Sequence, residues 1–337
     1  MLTITSPANL SPFDRPAIFK IASDTPAADA GRYIEALLED SDSGTILAAR
    51  RIRLSSTATA QFDAAPILRR SVTFRPAGGA TGLIAADECR FRVRLAVRWL
   101  SSEGGAPTAA AQSAAVTLIS TAPKSNLLTL ITSMPAQRTI CYGESDTLTL
   151  YAPAGFTATI EALSPSSGSR RFDYKWSGSA GLVTLRLRTT DFDPAVERIM
   201  VLLNGGTVVE YTVEPACSEG MRIAWRTTAG TLEHYTFPVV ARRTLAAGSR
   251  TIRLADGTCT VAGRSHTEAV VRSSYESRAV VGALAEIAES PQVWTVDGET
   301  GEYIETDVLT SEIVTHLFGE PSNVELTVRP SQNGVRI

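Results

Sequence analysis

Histidine is scarce in this 337-residue chain: only His234, His266 and His316 occur. A serine or cysteine nucleophile needs a histidine and an orienting acid, and no Gly-x-Ser-x-Gly segment accompanies the three. Ser179, in the run Ser177-Gly-Ser-Ala-Gly181, has its glycines at the wrong offset. No His-x-His or His-Glu-x-x-His spacing is present to seed a metal centre. Gly-x-x-x-x-Gly-Lys and Gly-x-Gly-x-x-Gly phosphate cradles are missing as well. The sequence therefore predicts no catalytic, cofactor-binding or metal-ligating residue, and each histidine reads as a surface or hydrogen-bonded structural group. A pair of glycosidase carboxylates stays open, because any two acids can meet in space, although the Asp and Glu residues here cluster in turns.

Cysteine is also sparse. Cys89, Cys141, Cys217 and Cys259 lie far apart with no Cys-x-x-Cys pair, which points to buried thiols rather than zinc, and the spacing leaves a disulfide open. No run approaches 18 apolar residues, and the opening Met1-Leu-Thr-Ile-Thr-Ser-Pro lacks the layout of a secretory signal. The expected site of synthesis is the cytoplasm, with no membrane partner. A net charge of −3 gives no polyelectrolyte signal for nucleic acid, and the arginine pairs Arg50-Arg51 and Arg69-Arg70 carry no stacking aromatics between them.

What is present is apolar material, 44% of the residues, arranged with a period of two. The length suits two or three domains, and the punctuation places them at 1–122, 123–215 and 216–337. In the first, Phe91, Val93, Leu95, Val97 and Trp99 alternate with Arg90, Arg92, Arg94 and Arg98, a strand with a solvated arginine face. Asp40 and Asp42 sit in a hairpin turn, where a calcium loop fails because its twelfth position is Arg51. Gln61 to Arg70 reads as a short helical turn with Asp63 capping and Phe62, Ile67 and Leu68 packing beneath. Residues 101–112 read as a long loop, a candidate contact arm; a strand follows at 115–120 and a linker at 121–126. The second domain has strands at 127–131, 146–151, 156–160, 182–188, 198–203 and 207–213, with Asn204-Gly-Gly as a hairpin turn and Asp191-Phe-Asp193-Pro as an ordinary turn. Both domains predict β-sandwiches, Ig-like in rhythm.

The third domain predicts a β-rich α+β unit. A helix over about 279–289 has Val280, Val281, Leu284 and Ile287 on one face and stops at Ser290-Pro291. Turns are expected at Ala255 to Thr258 and at Asp297-Gly298, with Leu284, Trp294 and the earlier Trp99 as core anchors. The unit opens on Met221, Ile223 and Trp225 alternating with Arg222, Ala224 and Arg226, a turn containing Gly230, and a second strand with Leu232, His234 and Thr236 on one face and Glu233, Tyr235 and Phe237 on the other. Trp225, Gly230, Tyr235 and Phe237 organise this hairpin.

The pattern Cys217…Ile223-x-Trp225-x4-Gly230-x2-Glu233-x-Tyr235-Thr236-Phe237 resembles a recurrent segment in virion and tail proteins of tailed bacteriophages, notably those infecting Bacteroidetes. Phe62-Asp63 with Ile67-Leu68-Arg69, and the helix followed by Ser290-Pro-Gln-Val-Trp294, are similar to other parts of those proteins. This chain departs from the pattern at Thr227, Thr231 and Glu233, where that family has Asn, Gly and Asp. The resemblance implies an architectural role in a tail or baseplate, with copies of the chain and neighbouring virion proteins as partners in a ring. It implies no small-molecule substrate and carries over no catalytic residue. A cell-surface adhesin or glycan-binding module with tandem Ig-like domains is the alternative, which the absent export signal disfavours; a β-scaffold hydrolase stands third.

Overall fold

The computed structural model describes residues 1–71, 79–100, 107–122, 127–152, 154–217, 219–246, 249–254, 257–262, 266–298, 300–313 and 322–331. The chain is mainly β, 56% strand and 10% helix. Eight strands of the first region run in chain order Leu2–Thr5, Ser11–Pro12, Ile18–Ser23, Tyr33–Asp40, Ile46–Arg53, Thr59–Asp63, Arg90–Trp99 and Val116–Ile119. The first, third and sixth form one sheet; the second, eighth, seventh, fourth and fifth, in that order, form another. The second region repeats this wiring with Thr129–Ile131, Gln137–Cys141, Ser145–Ala152, Phe156–Ser164, Gly168–Trp176, Gly181–Arg188, Arg198–Leu203 and Gly206–Glu214. In both regions the second strand pairs parallel with the eighth, and the remaining ladders between these strands are antiparallel.

Alternation explains each core. In Arg90–Trp99, Val93, Leu95 and Val97 are buried beside Leu38 of the neighbouring strand and Phe19 and Phe62 of the other sheet. The intervening arginines stay in reach of water and meet acids: Arg90 with Asp87, Arg92 with Asp42, and Arg94 with Glu39. Trp99 is half-buried at the margin of this core, with the Arg32 guanidinium 3.9 Å over its ring. Asp63 accepts from the backbone N–H groups of Ala17 and Ala65, both at 3.0 Å, and so starts the helix Ala65–Ser71, which buries Leu68 and packs Ile67 against the core. The expected loop over 101–112 is corrected in its second half: Thr108–Gln112 is a strand against Ala96–Trp99, because small side chains let it lie on a neighbouring ladder. Two strands of the second region, Gln137–Cys141 and Gly168–Trp176, carry arginines and polar residues that hid them in the sequence pattern. Residues 101–106, the linker positions 123–126, Ala255 and Asp256 of the expected turn, and His316 lie outside the described residues.

The regions interlock. Gly82–Ala85, inserted between the sixth and seventh strands of the first region, pairs antiparallel with Gly181–Arg188 and completes a sheet of the second. Asp191 anchors its start by accepting from the Thr81 N–H and hydroxyl at 2.7 and 2.8 Å. The third region is one curled antiparallel sheet, a half-barrel, in the order Leu232–Phe237, Met221–Arg226, Val293–Val296, Tyr303–Val308, Glu325–Pro330, His266–Arg272, Val239–Ala246. Its hollow holds the helix Arg278–Glu289, capped by the Ser277 side chain accepting from the Val280 N–H, with Val280, Val281, Leu284 and Ile287 buried against Ile223, Trp225 and Phe237.

A further apolar cluster joins all three regions: Cys89 and Ile119 from the first, Tyr151 and Leu182 from the second, and Ala224, Leu232 and Trp294 from the third. The Thr227–Thr231 turn reaches this junction. Gly230 sits there at φ +82°, where a Cβ would stand 2.8 Å from Cβ of Ser120. Gly205 has a similar φ, +86°, with nothing within 4 Å. Gly205→Ala is expected to cost only the left-handed strain, about 1 kcal/mol, and Gly230→Ala about 1 to 2 kcal/mol more, read as a difference in urea unfolding.

Candidate functional site

Among the described residues, buried charge gathers where the second and third regions meet. In Met221–Arg226 the apolar side chains Ile223 and Trp225 face the helix, as the alternation predicts. The face bearing Arg222, Ala224 and Arg226 reads as solvated in the sequence, but all three are buried. The strand has two covered faces because the second region packs on its reverse side. Arg222 donates to Glu144 at 2.9 Å, to the Thr236 hydroxyl at 2.8 Å and to the Ser145 carbonyl at 2.6 Å, and Thr236 donates in turn to Glu144.

Beside this group, Asp146 gathers three partners. His234 Nδ1 lies 2.9 Å from its Oδ1, while Tyr211 donates to Oδ2 at 2.8 Å and Arg138 at 3.3 Å. Arg138 spans to Glu233 at 3.3 Å, and the Ser133 N–H donates to the other Glu233 oxygen. His234 Nε2 is 2.8 Å from the Tyr303 hydroxyl. Asp146, Arg138, Glu233 and His234 have side chains no more than 3% exposed. Ionised groups so placed are tolerable only when paired and hydrogen-bonded.

Burial sets the protonation states. Desolvation holds His234 below the usual imidazole range despite Asp146, with the nearby Arg222 and Arg138 charges acting in the same direction. The neutral ring keeps Nδ1 against Asp146 and shares a hydrogen bond with the Tyr303 hydroxyl at Nε2; burial pushes that phenol up to about 12. Burial also works to raise Asp146, but the His234 hydrogen bond and the His234, Arg138 and Arg222 charges prevail and hold it well below the carboxylate range. Burial raises Glu233 to about 7, against the pull of Arg138. Burial, with Glu144 and Cys217 alongside, pushes the Cys141 thiol up to about 12.

Asp146, His234 and Tyr303 stand in line, and the Tyr303 hydroxyl also meets the Ser145 side chain. A cavity of about 300 Å³ adjoins the group, lined by Gln137, Thr139, Glu210 and Thr212, and another of about 290 Å³ touches Tyr303 and Glu144. A third of about 710 Å³, between the first and third regions, is lined by Asp14, Arg69, Arg70, Arg226 and Gln292. Among the described residues no group of three or more His, Cys, Asp or Glu could hold a metal ion.

Of the hairpin residues singled out in the sequence, Gly230 meets Ser120 of the first region, and the three aromatics lie in the core around the helix. Trp225 and Phe237 are fully buried; Tyr235 packs edge-to-face on Phe237 at 5.0 Å and donates to Glu276 at 2.7 Å. Leu284 lies in the helix core, whereas Trp294 belongs to the three-way junction. Trp99 is remote from both. Sequence reasoning missed Arg138, Glu144, Asp146 and Tyr211; none sits in a motif, and only the excess of charge in Met221–Arg226 hinted that a partner surface covers that strand.

No protein-family model and no curated protein matches the chain. Among solved structures it is similar to trypsin-activated alpha-2-macroglobulin from Escherichia coli, with TM-score 0.26 and 10% identity over 80% of this chain and 19% of that one. It is also similar to a marsupial T cell receptor, with TM-score 0.21 and 11% identity over 80% of this chain and 96% of that one. The chain spans about a fifth of the length of the alpha-2-macroglobulin.

Two substitutions test the network. The Glu233 carboxyl ionises near 4.5 in the unfolded chain and about 7 in the fold, so the stability it contributes is complete below pH 4.5 and is lost as pH rises through 7. Glu233→Gln abolishes that titration and is expected to gain about 3 kcal/mol on the wild type between pH 4.5 and 8, measured by chemical denaturation. Asp146 has the opposite sign, its contribution being present above 3.8 and lost as pH falls. Asp146→Asn strips the charge that Arg138 and His234 face, and is expected to cost about 3 to 5 kcal/mol at pH 7 in the same assay.

Proposed function

We propose that the chain is a non-enzymatic structural component of a tailed-bacteriophage virion, in the tail or baseplate, acting through contacts with copies of itself and with neighbouring virion proteins. The observation that carries this reading is the placement of the 217–238 segment, the one that resembles phage virion proteins. It touches every region: its turn meets Ser120, Arg226 donates to the Arg69 carbonyl at 3.1 Å, and Arg222 and His234 enter the buried network with the second region. The side chains best equipped for chemistry are thus spent on fastening one region to another. Rigid coupling of this kind suits a part that repeats one geometry around a ring.

The finer architecture we infer is two tandem Ig-like β-sandwiches at 1–122 and 123–215, followed by the half-barrel at 216–337. The shared strand order of the first two regions, in each of which the second strand pairs parallel to the eighth, supports it. Mass spectrometry of gradient-purified phage particles is expected to find this chain as a stoichiometric component. Its absence from particles, or turnover of a small molecule abolished by His234→Gln, would overturn the reading.

A further inference from the structure

The edge strand of the half-barrel continues into a ribbon. Val239–Ala246 pairs with His266–Arg272, and beyond it Ser249–Leu254 pairs with Gly257–Ala262 in a sheet of two strands. Only Ala269 to Arg272 has a third neighbour, in Glu325–Pro330. From Thr244 outwards both edges of the ribbon carry unpaired backbone groups among the described residues. Residues 241–245 are all exposed, Leu245 at 67%. A two-stranded ribbon in water is marginal on its own and offers its edges to another chain.

Its charge is set against the rest of the molecule. The whole chain is acidic, at −3, yet residues 239–262 contain four arginines against one aspartate. Residues 276–312 contain nine carboxylates against one arginine. Of these, Glu289, Glu302, Glu305, Asp307 and Glu312 are exposed, and Leu309, 39% exposed, stands among them. Glu305 and Asp307 point from Tyr303–Val308 to the side opposite buried Thr306, the outer surface of the half-barrel. The other cations nearby are already engaged: Arg272 pairs with Glu325 and Arg329 with Glu268. Among the described residues, neither Arg242, Arg243 and Arg253 nor Glu302, Glu305, Asp307 and Glu312 forms an ion pair.

We propose that the ribbon of one copy, through Val239–Ala246 and Ser249–Leu254, docks on the carboxylate-lined outer surface of the third region in a second copy. The occupant is identified by complementarity: the exposed Arg242, Arg243 and Arg253, with the exposed Leu245 on the same ribbon, match exposed carboxylates that have the exposed Leu309 in their run. The two surfaces are different parts of one chain, so the contact is head-to-tail and propagates until a ring closes. Desolvated leucines supply affinity, and the charges supply encounter rate and register. This inference rests on the reading of the chain as an assembling protein and names the surfaces it assembles with.

The experiment uses the full chain in sedimentation velocity at 50 and 300 mM NaCl. The wild type is expected to associate, about tenfold more weakly at the higher salt. Two charge-reversed chains are then made: Arg242→Glu with Arg243→Glu and Arg253→Glu, and Glu302→Lys with Glu305→Lys and Asp307→Lys. Each alone is expected to remain monomeric with an unchanged circular dichroism spectrum. Mixed, they are expected to associate again, because each ribbon finds its complement only on the other chain; misfolding cannot give that rescue. Association that survives ribbon reversal discards the ribbon contact and keeps self-assembly. A wild type that is monomeric at every salt concentration discards both, and mixed variants that stay apart while the wild-type ribbon binds DNA reassign the arginines to nucleic acid and overturn the proposal.

Discussion

The cost of removing charge from water governs how the second and third regions sit together. Arg138, Asp146, Glu233 and Arg222 are each buried, and an unpaired ion at such depth costs several kcal/mol. Each is paired only while Gln137–Cys141, Ser145–Ala152, Met221–Arg226 and Leu232–Phe237 keep their relative positions. A slide of even an ångström or two would leave an orphaned charge with no solvent to receive it. Apolar packing alone would tolerate several nearby arrangements; the ion network admits one. Its contribution is thus to orientation more than to net stability, since a buried pair repays little beyond its own desolvation.

The hairpin bearing that network serves two cores at once. Trp225 and Phe237 close over the helix on one side, while Ala224 and Leu232 enter the three-way junction on the other. A strand with both faces covered has no solvent face on which to place polar residues cheaply, so its arginines must find built partners. The Thr227–Thr231 turn extends the same logic to the first region, where only a residue without a Cβ can approach Ser120 so closely.

Periodicity made most strands and the helix legible. Val93, Leu95 and Val97 alternate cleanly because one face of their strand meets water, and Val280, Val281, Leu284 and Ile287 recur on one helical face. The Asn204-Gly205 turn was readable because both residues adopt positive φ, which those residue types tolerate. Gln137–Cys141 and Gly168–Trp176 were not, since polar residues occupy positions that another region or the edge of a sheet satisfies. The site was hardest of all. His234 has a place on one face of a legible strand, but its partners Asp146 and Tyr303 stand 88 and 69 residues away, and no local rule relates them. Long-range pairing between regions leaves no periodic trace in either segment.

Gly82–Ala85 gives the molecule a temporal asymmetry. The strand is synthesised with the first region, yet its ladder partner around Val183 leaves the ribosome about a hundred residues later. Until then it has no neighbour in the sheet it belongs to, and the loop that must close is long and entropically costly. The sheet of the second region is therefore complete only with a strand that the first supplies. The two are committed to fold as a joint unit, and a junction that looks like a linker in the sequence is not a place where the chain can be divided.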